Sequence, residues 1–287
     1  MPIGIFVGLA TLDLVYDVDE FPAPNTKIAA RTQQIFVGGP ATNAAITFAH
    51  LGGQATLVTA LGRHPLTQLV RQELQRFSIR LIDLYPEFDD LPALSSVAVD
   101  RRGRRNVVSA NAERIVAPPA QVDLDLCRQA SIVLVDGHSM QACQAWAEAA
   151  HTCGLPVVLD GGSWKDGTEA LLGQLHTAIC SADFLPPNCS GQQDLVRFIK
   201  NRGVANFAIT HGAAPVDYFF GNDAGTVSVP RLPVIDTMGA GDIFHGAYCF
   251  FASSGMDFVP ALEAAAKVAS ESCRFAGTRA WMKNTGR

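Results

Sequence analysis

The chain has 287 residues, of which 48% are hydrophobic and 17% charged, with a formal net charge of -5. That composition supports a large buried core, excludes wholesale disorder, and argues against a nucleic-acid or anionic-membrane surface. No run reaches the ~18 apolar residues of a membrane span, and seven cysteines without a C-x-x-C pair suggest reduced thiols in a cytoplasmic protein.

Residues 3–9 form a short apolar run containing Gly8 and read as a first buried strand rather than a signal peptide, since no basic segment precedes them. Residues 17–34 are polar and loop-rich, with Pro22 and Pro24, and within them 26–31 reads as a strand exposed on one face. A small-residue helix over 41–51 stops at Gly52-Gly53, followed by a strand at 55–61 and an amphipathic helix at 66–77. Residues 95–100 and 106–109 read as a hairpin turning at Arg101-Arg102-Gly103. Strands are expected at 131–136, 155–160, 178–184 and 204–210, with helices at 141–153 and 192–202 between them. A second hairpin (216–220 and 226–229) and two helices (240–254 and 258–275) complete the chain.

From about residue 120 onward, strands alternate with helices, the pattern of a parallel sheet covered on both faces. The strands near 12–36 and 95–109 do not fit that layer. They are expected to form a small β-sheet lid over the carboxyl edge of the main sheet, where α/β sheets bind ligands.

Two segments carry chemistry. Asp236-Thr237-Met238-Gly239-Ala240-Gly241-Asp242 precedes an apolar helix, so its glycines sit where that helix begins. A helix start offers unpaired N–H groups and partial positive charge to an anion. A carboxylate beside that anion can take the proton from an attacking hydroxyl. A plain strand-to-helix turn with a dipole-satisfying Asp would look the same in isolation. The second segment, Gly38-Gly39-Pro40-Ala41-Thr42-Asn43, also opens a helix. Its glycines permit close approach to the backbone, and the Asn43 amide suits a polyol.

Together, about 200 residues apart, these segments resemble the ribokinase-like (PfkB) family of carbohydrate kinases. Gly38-Gly39, Asn43, Gly52 and Gly62 fit its N-terminal pattern, and Asp236 to Asp242 with Gly246 fits its C-terminal one. The resemblance implies a ribokinase-like three-layer α/β/α fold, one domain over 1–287, with lid strands from about 12–36 and 95–109. It implies transfer of the ATP γ-phosphoryl group to a sugar hydroxyl, with Asp242 as general base and the backbone of Gly239, Ala240 and Gly241 as anion hole. Asp13, Gly39, Asn43 and Arg105 would hold the sugar, the last resembling the lid arginine of ketohexokinase-type enzymes. Asn188, Thr210, Gly212 and Lys165 would meet ATP. ATP and Mg2+ are the implied cofactors, with a monovalent cation as a further candidate, and a homodimer through the lid is the implied assembly.

The chain also departs from the family. Gly191 stands where a magnesium-region Glu is common, so Asp194 is a candidate substitute. The turn Gly62-Arg63-His64 lacks the usual Asp, and Lys165 stands in for an Arg to which it is not equivalent. Asp242 is expected to titrate like an ordinary carboxylate near 4. No Walker A, H-E-x-x-H, G-x-G-x-x-G after the first strand, or G-x-S-x-G motif is present. A nucleoside kinase and a non-catalytic sugar- or nucleotide-binding protein of the same fold remain as alternatives. The N-terminal segment and Arg105 favour a fructokinase- or ketohexokinase-like sugar kinase.

Overall fold

The computed structural model describes residues 1–110 and 115–283. Strand β1 (Ile3–Val7) opens the chain, followed by β2 (Thr11–Asp17) and β3 (Thr32–Gly38). Helix α1 (Pro40–His50), β4 (Gln54–Thr59), α2 (Thr67–Arg76) and β5 (Arg80–Asp83) lead to the hairpin of β6 (Leu94–Val99) and β7 (Arg105–Ser109). Alternation then takes over: α3 (Leu124–Gln129), β8 (Ile132–Val135), α4 (Met140–Thr152), β9 (Val157–Gly161), α5 (Thr168–Leu172), β10 (Thr177–Ser181), α6 (Gln192–Lys200) and β11 (Asn206–His211). Strands β12 (Ala214–Phe220) and β13 (Asp223–Val227) form a second hairpin before α7 (Ala240–Ser253), α8 (Phe258–Ser272) and a 3-10 turn at Ala280–Lys283.

Nine of the described strands make one sheet in the order β13-β12-β11-β10-β9-β8-β1-β4-β5. It is parallel from β11 to β5, and the closing hairpin adds its antiparallel edge. The sequence accounts for this arrangement. Strand β8, Ile-Val-Leu-Val, is buried throughout, as a central strand covered on both faces must be. Alternate residues supply two separate cores. Phe6, Leu57 and Leu134 face the layer of α1, α2, α7 and α8. Ile5, Val7, Val58, Val133 and Val135 face the layer of α3, α4, α5 and α6.

The remaining strands form a second sheet, β3-β2-β6-β7, in which β2 and β6 are parallel and both outer pairs antiparallel. Residues 26–31 are not a strand. They are exposed and follow a turn in which Asn25 takes a left-handed φ of 61°. Sheet pairing begins only at Thr32, opposite Asp17. Strand β5 and helices α3 and α5 went unread because four to six residues show no period.

Parallel strands put their carboxyl ends on one edge, so the loops after β1, β8, β9, β10 and β11 converge there. Helices α1 and α7 both begin at this edge and pack along each other, because small residues let their backbones approach. A Cβ on Gly246 of α7 would lie 2.3 Å from the Ala44 carbonyl oxygen of α1.

Candidate active site

Helix α7 starts on Gly239, whose left-handed φ of 67° turns the chain into the helix. A side chain there would meet Thr278 Cγ2 at 2.6 Å, Asn43 Nδ2 at 3.4 Å and Asp242 Oδ2 at 3.6 Å, so these three groups converge on the turn. The first-turn N–H groups of Gly241 and Asp242 have no intrahelical acceptor. Asp242 follows in the same turn, and its Oδ2 accepts a 2.7 Å hydrogen bond from Asn43 Nδ2 on α1. The two motifs, 199 residues apart, thus meet side chain to side chain.

Asp242 is not an ordinary carboxylate. Burial, reinforced by the nearby charge of Asp160, pushes its pKa up to about 7, against the Asn43 hydrogen bond and His245. This corrects the expectation of a value near 4.

Gly38 and Gly39 carry β3 into α1. A Cβ on Gly39, at φ 97°, would strike the Leu9 carbonyl oxygen at 2.2 Å. One on Gly38 would lie 2.0 Å from Asp13 Oδ2, so Asp13 rests against that glycine. Asp13 accepts a 2.9 Å hydrogen bond from the Thr11 hydroxyl, and burial raises its pKa. Asn43 Oδ1 is buried without a hydrogen-bond partner, leaving one acceptor free at this spot.

Arg105, on β7, is committed to the loop before α7. Its guanidinium donates to Asp236 Oδ1 at 2.5 Å and to the Thr237 hydroxyl at 3.1 Å. Asp236 also accepts from the Met238 and Gly277 N–H groups, at 2.9 and 2.8 Å. The first Asp of the motif therefore organises the loop, and Arg105 ties the small sheet to it.

Under the turn, His245 Nδ1 lies 2.7 Å from the Gly241 carbonyl oxygen and 3.3 Å from Asp160 Oδ2. Its Nε2 lies 3.0 Å from the Ile179 carbonyl oxygen, which joins the start of α7 to β10. Asp160 Oδ2 makes no hydrogen bond, and burial raises the Asp160 pKa.

The groups expected to meet ATP line the ends of neighbouring strands. Thr210 is the next-to-last residue of β11 and its hydroxyl donates to the Cys180 carbonyl at 3.4 Å. Gly212 follows with φ 62°, and Asn188, exposed, has φ 68°. Lys165 Nζ lies 3.2 Å from the Ser163 carbonyl oxygen, near enough to Asp160 to favour its charge. A cavity of about 760 Å³ opens at the start of α6, lined by Ser190, Gly191, Gln192, Asp194 and Phe219 among others and by none of these four groups. Asp194 is held to the preceding turn: its Oδ2 accepts from both the Ser190 N–H and hydroxyl, at 3.1 and 2.7 Å.

Three groups at the site escaped the sequence. Asp136, closing β8, accepts from the Leu9 and Ala41 N–H groups and so pins the turn after β1 to the start of α1. An Asp ending a buried strand was the available signal. The Asp160–His245 contact and the segment Gly277-Thr278-Arg279 had none, because they meet the site only through the fold.

A family model described as "pfkB family carbohydrate kinase" matches residues 5–284. The chain is 25% identical over 266 residues to the bifunctional ribokinase/ribose-5-phosphate isomerase A of Fructilactobacillus sanfranciscensis, covering 85% of this chain. It spans 47%, about half, of that relative's length. It is 25% identical over 291 residues to the nucleoside kinase of Methanothermobacter thermautotrophicus, covering 98% of this chain and 92% of the relative. Among solved structures, the ribokinase of Arabidopsis thaliana complexed with ribose and ATP superposes with a TM-score of 0.79 at 24% identity, over 96% of this chain and 93% of that one.

Proposed function

The chain belongs to the pfkB family of carbohydrate kinases, and from that premise we propose that it transfers the γ-phosphoryl group of ATP to a hydroxyl of a small neutral sugar, with Asp242 as general base. The observation that carries this reading is the Asn43–Asp242 hydrogen bond at the α7 turn. It supports the reading because it joins the carboxylate, at a helix start suited to an anion, to the amide assigned to the polyol.

The acceptor hydroxyl sits against Asp242, with the sugar held by Asp13, the backbone at Gly39, and the free Asn43 Oδ1. As its oxygen attacks the γ-phosphorus, the hydroxyl proton passes to Asp242, the bond to the β-phosphate oxygen breaks, and ADP leaves. The N–H groups of the Gly239-Ala240-Gly241 turn receive the charge on the transferring group. Asn188, Thr210, Gly212 and Lys165 flank the nucleotide. The small sheet closes over the acceptor, with Arg105 fixing it to Asp236. The single-domain reading of 1–287 belongs to the same proposal.

Magnesium fits the residues present through one group. The buried Asp160 Oδ2, which makes no hydrogen bond and lies 3.3 Å from His245 Nδ1, is the carboxylate oxygen that would hold it where the family Glu is absent. Bound there, the ion would offset phosphate charge, as one or two carboxylates with phosphate oxygens commonly allow. A monovalent cation remains a further proposal, tested by comparing turnover in potassium and choline salts.

The two groups assigned to the acceptor, Asp13 and Asp242, are both acids, which favours a neutral sugar over a sugar phosphate. Similarity to a nucleoside kinase keeps nucleosides as the second reading. ADP release with ATP, magnesium and a panel of sugars, sugar phosphates and nucleosides decides between them. We expect turnover with a neutral sugar. No ADP release above the acceptor-free background would overturn the proposal in favour of a binding protein.

A further inference from the structure

Two segments assigned to ATP come from different elements, and one carboxylate outside both of them joins the two. Asp217 lies in β12, opposite Ile209 of β11. Its Oδ2 accepts a 2.5 Å hydrogen bond from Gln192 Nε2, and the same oxygen lies 3.0 Å from His211 Nε2. A carboxylate only accepts, so the imidazole turns its Nε2–H to Asp217. His211 stands between Thr210 and Gly212, at the turn after β11. Gln192 is the first residue of α6, four residues after Asn188.

The local backbone accounts for both contacts. The pairing of β11 with β12 shifts register between Ile209 and His211, and such a bulge re-aims the neighbouring side chain. Gly212 then turns the chain at φ 62°. On the α6 side, the bonds from the Ser190 N–H and hydroxyl to Asp194 brace the stretch in which Gln192 sits. Gln192 and Phe219 of β12 both line the cavity of about 760 Å³, so apolar packing does not fill the gap between α6 and β12 there. The polar bridge through Asp217 spans it. Asp217 is 27% exposed and His211 24%, so removing the carboxylate leaves neither a buried unpaired charge nor a hole in the core.

We infer that Asp217 is a positioning residue of the nucleotide site, one carboxylate oxygen that holds the Thr210–Gly212 turn and the start of α6 at a fixed separation. It acts on the nucleotide through His211 and Gln192 rather than by touching it. This rests on the phosphotransfer reading, which assigns Asn188, Thr210 and Gly212 to ATP, and deepens it. Both hydrogen bonds end on one oxygen, so the role requires an acceptor atom at that point more than a charge.

The test uses the full chain and ADP as the probe. In Asp217→Ala the loss of two hydrogen bonds to a charged group should weaken ADP binding, measured by calorimetry, at least about tenfold. Without nucleotide, the same variant should exchange backbone amide hydrogens faster than wild type in both 186–193 and 208–214, while α1 exchanges as before. Asp217→Asn keeps an acceptor oxygen in place, so its ADP affinity should stay within about threefold of wild type and both segments should remain protected. Faster exchange in only one segment, or in neither, overturns the inference. So does unchanged ADP affinity in Asp217→Ala, or an equal loss in the Asn and Ala variants, which would assign the effect to charge. If the wild-type protein binds no ADP, the nucleotide reading fails, and the exchange measurement still decides whether Asp217 joins the two segments.

Discussion

At Asp242, the tension between burial and function can be measured. A general base must be ionised, yet burial and Asp160 push this carboxyl up to about 7. The acid limb of kcat/KM should therefore lie near pH 7, with the rate falling about tenfold per unit below it. A limb near pH 4 would show that the group titrates as an exposed carboxylate. Asp242→Asn should lower kcat at least ~100-fold while acceptor and ATP binding are mostly kept, and near-normal turnover would remove Asp242 from the role of base. The same raised pKa has a stability consequence. Between about 4 and 7 the folded protein holds a proton that the unfolded chain has lost, so stability falls as pH rises through that window. Asp242→Asn lacks this penalty. Its Tm should match wild type near pH 4 and exceed it by at least about 2 °C at pH 8, roughly the shift of 1 kcal/mol in a protein this size. An equal gap at both pH values would refute the linkage.

Helices α1 and α7 are the elements that turn two sequence motifs into one site. Their contact depends on small residues: Ala44 and Ala45 on one side, Gly246 and Ala247 on the other, all within one core except the glycine. Phe48 of α1 then packs edge-on against Phe6 of β1 and Phe250 of α7, with ring centres 5.2 and 5.8 Å away. Gly246→Ala would bring a methyl to 2.3 Å from a backbone oxygen that cannot rotate away. The helices must separate, at a cost of about 1–3 kcal/mol, and the Asn43–Asp242 hydrogen bond should lengthen with them. Thermal unfolding should show a Tm loss of several degrees, together with a lower kcat; an unchanged Tm would mean the helices move apart freely. The motif residues on these helices were legible because glycine spacing and an apolar run announce a helix start. The strand boundary at Thr32 was not, because residues 26–31 have the composition of an edge strand and only the partner Asp17 sets where pairing begins.

Across the whole molecule, the large sheet is covered on both faces while the small sheet leaves apolar side chains in water. Ile35 of β3 is 52% exposed and Val108 of β7 is 75% exposed. Exposed apolar strand surface of this kind favours pairing with a second copy, and we propose a homodimer through these strands. Light scattering should give a dimer mass at micromolar concentration, and Val108→Asp should reduce it to the monomer with little change in Tm. A monomeric wild-type protein would dismiss this assembly. No helix among the described residues is long and apolar enough to cross a membrane.

The family, the alternation of strands and helices, and the two glycine-bearing turns were determined by the sequence alone, since each depends on local spacing along the chain. Only the tertiary structure decided how charges far apart in the chain act on one another. It brought the charge of Asp160 near Asp242, tied Arg105 to Asp236, bonded Asp194 to Ser190, and joined Arg279 to Glu73 and Val37. Electrostatic coupling depends on distance and burial rather than on sequence separation. The position of Asp242 at a helix start could therefore be read from the motif, while its raised pKa and the groups that cause it emerged only from the folded chain.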